Sequence, residues 1–150
     1  MIQNWSHPTW NFLHTFVEKI NKNYFLNNKK EILELLISIM SILPCPTCRI
    51  DATNYMKKIK PEIIKNKEHL KKLFFQFHNY VNVKTKKREF DISILIKYEN
   101  MSIYEVSKTF FSAMYNYKQK GIYMYDSFYR KKVIKNISDY LQNNSKELFM

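Results

Sequence analysis

Glycine is almost absent from this chain of 150 residues, which contains only Gly121. Phosphate-binding loops, the common dinucleotide-binding turn and tight hairpins use glycine where the backbone needs a positive φ or a close approach. The sequence therefore argues against a P-loop, a Rossmann-type dinucleotide fold and a β-sandwich with many turns.

Cysteine and long apolar runs are also scarce. Two cysteines, Cys45 and Cys48, cannot build a disulfide-rich scaffold or a four-cysteine zinc site. No stretch reaches the roughly 18 apolar residues of a membrane span, and the N-terminus lacks the apolar segment of a secretory signal. We therefore expect an intracellular protein without a membrane partner. In that setting a C-x-x-C pair is more often metal-binding or redox-active than structural.

The positive charge comes almost entirely from lysine, with 22 Lys and 3 Arg against 13 acidic residues and a formal net charge of +12. Such an excess is typical of a nucleic-acid-binding surface or of a solvated, lysine-coated surface. Arginine, the residue of bidentate phosphate and guanine contacts, is rare here, so we favour the solvated surface and expect no nucleic acid. A basic nucleic-acid-binding helical module remains the alternative, and a small anion such as a cofactor pyrophosphate remains a suitable ligand.

Apolar residues recur at helical spacing along most of the chain, and no segment alternates over the length of a strand. The predicted helices cover residues 8–25, 30–43, 45–60, 66–83, a short 92–98, 102–118 and 126–142. Pro44 and Pro61 end two of them, a charged loop fills 84–91, and Gly121 separates the last two. The predicted fold class is all-α, a helical bundle.

The region after about residue 100 is rich in tyrosine and phenylalanine interleaved with lysine. Such a pattern could stack on nucleic-acid bases. Aromatic residues at helical spacing are more often core and amphipathic surface, and we favour that interpretation.

The segment Pro44-Cys45-Pro46-Thr47-Cys48-Arg49 carries the strongest chemical signal. Two cysteines three positions apart at a helix start can close a small disulfide ring. The helix N-terminus and Arg49 both favour a thiolate, the species that attacks disulfides. Half a zinc site or two buried thiols are the alternatives. His69 and His78 are nine positions apart, which is not a usual zinc pairing, so we expect no metal. A thioredoxin fold would need strands that the sequence lacks.

Two further helix faces complete a candidate site. Trp10 and His14 lie one turn apart, as do His78 and Asn82, and lysines follow the second pair. Two aromatic and histidine faces, an amide and a lysine cluster beside a dithiol could hold a flat ring with an attached pyrophosphate. That description fits a flavin dinucleotide bound without a Rossmann fold.

This arrangement resembles the flavin-linked sulfhydryl oxidases of the Erv/ALR family over about residues 6–98. The matching motifs are W-x-x-L-H-T from Trp10 to Thr15, the C-x-x-C pair, and H-N-x-V-N from His78 to Asn82. The resemblance implies a four-helix bundle with a short fifth helix, a homodimer, and FAD in the mouth of the bundle. It assigns residues 1–100 to an FAD-binding oxidase domain. We expect residues 101–150 to form a helical extension that packs on the bundle or at the dimer interface.

The resemblance also implies roles for individual residues. Cys45 and Cys48 are the implied catalytic pair, with Cys48 next to the flavin. The implied cofactor-binding residues are Trp10, His14, Cys48, His78, Asn79, Asn82, Lys84, Lys87 and Tyr98. Within that set, His78 is expected to pack on the adenine, and Lys84 and Lys87 to approach the ribose or pyrophosphate.

The chain departs from the family pattern in three places. Ser6 stands where the family has a glycine, and Ile92 stands where it has a cysteine of a second disulfide. No shuttle cysteine pair is present, because both cysteines belong to the active site. We therefore expect electrons to enter Cys45–Cys48 directly from a partner protein or a small thiol.

The implied activity is FAD-dependent disulfide formation in a protein dithiol substrate, with electrons passed through the cysteine pair and flavin to O₂ to give H₂O₂. A short chain without targeting segments looks most like the viral branch of the family. The expected location is the cytoplasm of an infected host cell, with the virion second, rather than the mitochondrial intermembrane space.

Overall fold

The computed structural model describes residues 4–118 and 124–150, so the prediction for Gly121 lies outside the described residues. Its α-helices are α1 Ser6–Lys19, α2 Lys22–Asn27, α3 Lys29–Met40, α4 Pro46–Lys57, α5 Lys67–Lys84, α6 Ile96–Glu99, α7 Ile103–Tyr115, α8 Met124–Asn143 and α9 Ser145–Phe149. Short 3₁₀ turns cover Pro61–Ile63 and Ile92–Leu95. No strand occurs among the described residues, and the all-α prediction is confirmed.

The predicted first helix, 8–25, is in fact two helices. The backbone of Ile20 is extended, and the Asn21 side chain accepts a hydrogen bond from the Tyr24 N–H at 2.9 Å, which caps α2. Asparagine is a strong helix N-cap because its side-chain oxygen satisfies an N–H that has no partner within the helix. The apolar residues keep their helical spacing across the break, so the spacing alone predicted a single helix.

Two other helices begin where their sequences provide caps. The α4 helix has Cys45 at its N-cap and Pro46 in its first position, where the missing proline N–H costs nothing. The Asn66 side chain caps α5 by accepting the His69 N–H at 2.8 Å. Lys84 lies in the last turn of α5, where a positive charge suits the helix dipole.

One continuous apolar core joins the helices. Its fully buried members on the first helices include Phe12, Phe16, Ile32 and Leu36, and α5 contributes Phe74. The C-terminal helices share this core through Phe110, Met114, Ile134, Leu141 and Leu148. The helices α7, α8 and α9 therefore pack directly on the bundle, while the domain boundary at residue 100 stays a prediction.

The contact between α1 and α7 depends on a pair of phenylalanines. The ring centroids of Phe12 and Phe110 lie 4.6 Å apart, with the ring planes 8° from parallel. Other aromatic residues of the C-terminal region, such as Tyr104 and Phe128, are largely exposed. Among the described residues, no helix is both long and apolar enough to cross a membrane.

We expect Phe110→Ala to lower the free energy of unfolding by about 3–5 kcal/mol, because it removes a fully buried ring and leaves a cavity between α1 and α7. Urea denaturation followed by circular dichroism measures the change. Tyr104→Ala is the matched control on the same helix: Tyr104 is 68% exposed, so its loss should change stability by less than about 0.5 kcal/mol. Equal effects of the two substitutions would contradict the packing described.

Candidate active site

A cavity of about 630 Å³ lies between α1, α4, α5 and the segment that contains α6. Its lining includes Trp10 from α1, Cys48 from α4, and His78 from α5. A second cavity of about 690 Å³ lies between α7 and α8 and is lined by Phe111, Tyr115 and several lysines. Of these two cavities, the first brings together cysteine, histidine and tryptophan residues that the sequence analysis predicted to form the site.

Cys45 and Cys48 form a disulfide at the start of α4, with their Cα atoms 5.2 Å apart. The Cys48 backbone N–H points at the Cys45 sulfur, with a distance of 3.2 Å between N and Sγ. Cys48 lines the cavity and packs against the core, whereas Cys45 is outside the cavity lining. The two sulfurs are therefore inequivalent, with Cys48 on the cavity side.

Four aromatic rings form a cluster at the wall of this cavity. Trp10 and His78 are stacked, with centroids 3.8 Å apart and planes 5° from parallel. His14 lies behind them, with its Nε2 2.9 Å from His78 Nδ1, and Tyr98 stacks on His14 at 4.5 Å. At 3.8 Å the Trp10–His78 pair has no room for a third ring between its members. A planar ligand would have to contact an outer face or an edge of this pair.

The hydrogen bond between the two histidines fixes their tautomers. His14 Nδ1 is buried and has no hydrogen-bond partner in the described structure. A proton there would be a buried donor without an acceptor, which is rarer than a buried acceptor without a donor. We infer that His14 Nε2–H donates to His78 Nδ1, which leaves the N–H of His78 on Nε2. His78 lines the cavity and can offer that N–H to a ligand.

Burial keeps both histidines neutral. Desolvation, followed by the proximity of His78 and Lys97, lowers the pKa of His14 to about 3. Desolvation also lowers the pKa of His78 to about 4, with smaller contributions from Lys87, Lys97 and His7. At neutral pH the rings are therefore uncharged, while nearby lysines supply positive charge to the cavity.

The remaining predicted site residues fall into three groups: four line the cavity, His14 lies next to it, and Asn79 lies apart from it. Asn82, Lys84, Lys87 and Tyr98 line the cavity. His14 supports His78 from behind and is outside the lining.

Asn79, also predicted to bind the cofactor, lies apart from the cavity. Its side-chain amide clamps the backbone of Phe90, with N···O distances of 2.9 and 2.8 Å. This clamp positions the chain after α5, where Phe90 meets the edge of the His78 ring at a centroid distance of 5.0 Å. In this structure Asn79 shapes the wall of the site.

The sequence analysis missed Asp51 and Lys97. Asp51 lies one turn after Cys48 and accepts hydrogen bonds from Lys84 Nζ at 2.8 Å and Tyr80 Oη at 3.0 Å. The i, i+3 spacing from Cys48 would have placed Asp51 on the cavity side of α4. Lys97 lines the cavity beside Tyr98, but no motif or spacing singles out this lysine among the 22 of the chain. Among the described residues, no group of three or more His, Cys, Asp or Glu side chains could hold a metal ion.

An all-α chain whose cysteine pair opens onto a cavity walled by aromatic rings has the architecture of a helical dithiol redox protein. The model of the Erv1 / Alr family matches residues 7–103, about two thirds of the chain, and the protein belongs to that family.

Viral proteins are among its relatives. The FAD-linked sulfhydryl oxidase of African swine fever virus (isolate Tick/Malawi/Lil 20-1/1983) is 30% identical over 104 residues, which cover 69% of this chain and 82% of that protein. The corresponding protein of isolate Pig/Kenya/KEN-50/1950 is 29% identical over the same coverage. A protein of Invertebrate iridescent virus 3, provisionally named as an FAD-linked sulfhydryl oxidase, is 27% identical over 84 residues, covering 55% of this chain and 57% of that protein. No solved structure matches the chain.

We expect the folded protein to lose stability as the pH falls from about 6.5 towards 4, because the unfolded chain then binds protons that the buried His14 and His78 do not. Urea midpoints at pH 7.5, 6 and 5 measure this loss. His14→Gln removes one of the two buried imidazoles, so its midpoint should fall less steeply. His69→Gln leaves the buried pair intact and is the matched control. A common slope for all three proteins would refute this linkage.

Proposed function

We propose that this protein is an FAD-linked sulfhydryl oxidase that forms disulfides in protein substrates and passes their electrons to O₂, giving H₂O₂. Membership of the Erv1 / Alr family and the names of its viral relatives support this activity. The single structural observation that carries it is the Cys45–Cys48 disulfide at a helix N-terminus, with Cys48 lining a cavity that has an aromatic wall.

The residues of the cavity fit FAD in size and chemistry. About 630 Å³ lies within the range of cofactor sites. The Trp10–His78 pair offers flat apolar surface to a planar ring. Lys87 and Lys97 supply the positive charge that a pyrophosphate needs in a chain without a glycine-rich phosphate loop. Lys84 also lines the cavity, where it is paired with Asp51. When bound there, the flavin supplies a two-electron acceptor that returns electrons to O₂.

The positions of the two sulfurs support an order for the thiol chemistry. A substrate thiolate attacks Cys45, the sulfur outside the cavity lining, and the Cys45–Cys48 bond breaks to leave a mixed disulfide and a Cys48 thiolate. A second substrate thiol then attacks the mixed disulfide and releases Cys45. The substrate loses two electrons and two protons in the two steps, and the cysteine pair gains them.

The local structure stabilises the thiolate that this order produces. Cys48 lies in the first turn of α4, where the helix N-terminus carries partial positive charge. The adjacent His78 stays neutral, so the charge beside the sulfur comes from the helix and from Arg49 and the lysines. The protein thus favours the cleavage that releases Cys48 as the thiolate and leaves Cys45 bonded to the substrate.

The partners and location are part of the same proposal. A protein dithiol reaches Cys45 directly, because both cysteines of the chain belong to the disulfide. The chain works as a homodimer without a nucleic-acid partner. The viral origin of the relatives favours the cytoplasm of an infected cell, with the virion as a second location.

We expect Cys45→Ser and Cys48→Ser each to abolish oxygen consumption with dithiothreitol as the substrate, because either change removes the disulfide. Both variants should keep their FAD, measured as flavin absorbance per chain. Thr47→Ser is the matched control, since it alters a residue between the cysteines but keeps the hydroxyl that lies 3.3 Å from the Cys45 sulfur. Normal turnover in either cysteine variant would contradict the proposed dithiol relay.

We expect His78→Ala to weaken FAD binding by about tenfold, because loss of a stacking aromatic contact costs about 1–3 kcal/mol. Flavin content after gel filtration and a fluorescence titration of the apoprotein measure the change. His69→Ala, on the same helix but outside the cavity lining, is the control and should bind FAD normally. Unchanged affinity in His78→Ala would remove this side chain from the cofactor site.

A further inference from the structure

The helix α8 contacts α4 at the residue that immediately follows the disulfide. Arg49, the residue after Cys48, donates a hydrogen bond from Nη2 to Asp126 Oδ2 at 3.2 Å. The two side chains are 22% and 29% exposed, so the ion pair is partly shielded from water. Asp126 lies beyond the segment matched by the family model, which ends at residue 103.

A buried arginine, Arg130, lies one turn further along α8 from Asp126. Arg130 is 1% exposed, and it donates from Nε to the Met114 carbonyl at 3.0 Å and from Nη2 to the Tyr117 carbonyl at 3.1 Å. The Met114 carbonyl lies in the last turn of α7, where backbone acceptors lack helical partners, and Tyr117 lies just after that helix. Arg130 therefore ties α8 to the end of α7 one turn after Asp126, the residue that pairs with Arg49.

The three side chains form a local group of charges next to Cys48. Arg49 and Arg130 are positive, and Asp126 is negative. Burial lowers the pKa of Arg130, Tyr117 and Asp126 raise it, and Arg49 lowers it. One turn along α4, Asp51 and Lys84 pair with each other at 2.8 Å and largely cancel. Asp126 thus reduces the net positive charge that Arg49 brings to the disulfide.

We propose that Asp126 sets the reduction potential of the Cys45–Cys48 disulfide by holding the Arg49 guanidinium and cancelling part of its charge. Positive charge near the cysteines stabilises the thiolate and therefore the reduced form, which makes a disulfide a stronger oxidant. By offsetting that charge, α8 keeps the pair a weaker oxidant and a better electron donor to the next acceptor. This consequence for turnover rests on the proposed oxidase function, whereas the effect on the potential does not.

The equilibrium with glutathione tests the proposal. Two glutathione molecules give two electrons and two protons to the disulfide, which yields glutathione disulfide and the Cys45–Cys48 dithiol. We expect Asp126→Asn to raise the equilibrium constant for this reduction about two- to fivefold, the size expected of one unit charge near a partly exposed site. The thiol pKa, measured from the pH dependence of iodoacetamide alkylation, should fall in the same variant.

Two further variants set the direction and the control. Arg49→Gln should lower the equilibrium constant and raise the thiol pKa. Asp126→Glu keeps the carboxylate and should leave both at their wild-type values. Asp139→Asn is the matched control on α8. Asp139 pairs with Lys135 at 2.9 Å and lies about three and a half helical turns from Asp126. This substitution should leave the equilibrium constant unchanged.

Anaerobic glutathione buffers and alkylation of the purified protein report the cysteine pair whether or not it carries FAD. A failure of the oxidase proposal would appear in the flavin content and in oxygen consumption. The glutathione equilibrium depends on neither, so the two proposals can fail separately. An unchanged or lower equilibrium constant in a folded Asp126→Asn protein would overturn the proposal. If that variant does not fold, an unchanged constant in Arg49→Gln would overturn it.

Discussion

The contact of Trp10 with His78 is the interaction on which the rest of the site depends. It joins α1 to α5 through two rings only 3.8 Å apart, and it turns one wall of the cavity into a flat apolar surface. The 2.9 Å hydrogen bond between His14 Nε2 and His78 Nδ1 orients the His78 ring in this stack. Burial raises the free energy of the charged form, so the same packing that creates the wall keeps it neutral.

A neutral wall changes how the cavity can hold an anion. Two histidinium rings would supply positive charge only at acidic pH, whereas lysines supply it throughout the physiological range. The cavity lining carries its cations on Lys87, on Lys97 and on Lys84, which is paired with Asp51, and its stacked rings on Trp10 and His78. This division lets one cavity accept a flat ring and an anionic group without a glycine-rich loop.

The sequence predicted the parts of the molecule that depend on short spacing. The start of α4 follows from Cys45, Pro46 and Cys48, and the two pairs of residues one turn apart correctly marked α1 and α5 as walls of the cavity. Spacing could not show that Asn79 turns towards Phe90, because that choice depends on where the chain goes after α5. Nor could it show the His14–His78 bond, which joins residues 64 positions apart.

The largest gap in the sequence-based account concerns the C-terminal region, where no motif indicated a role. In the structure, Phe110 and Leu148 complete the core, so the bundle depends on residues outside the family match. Arg130 then ties α8 to the last turn of α7 with a buried hydrogen bond to the Met114 carbonyl, and Asp126 reaches Arg49 across 77 positions of sequence. A helix anchored in this way cannot shift relative to Cys48 without disrupting the core. The stability of the fold and the charge beside the disulfide are therefore linked through one helix, α8.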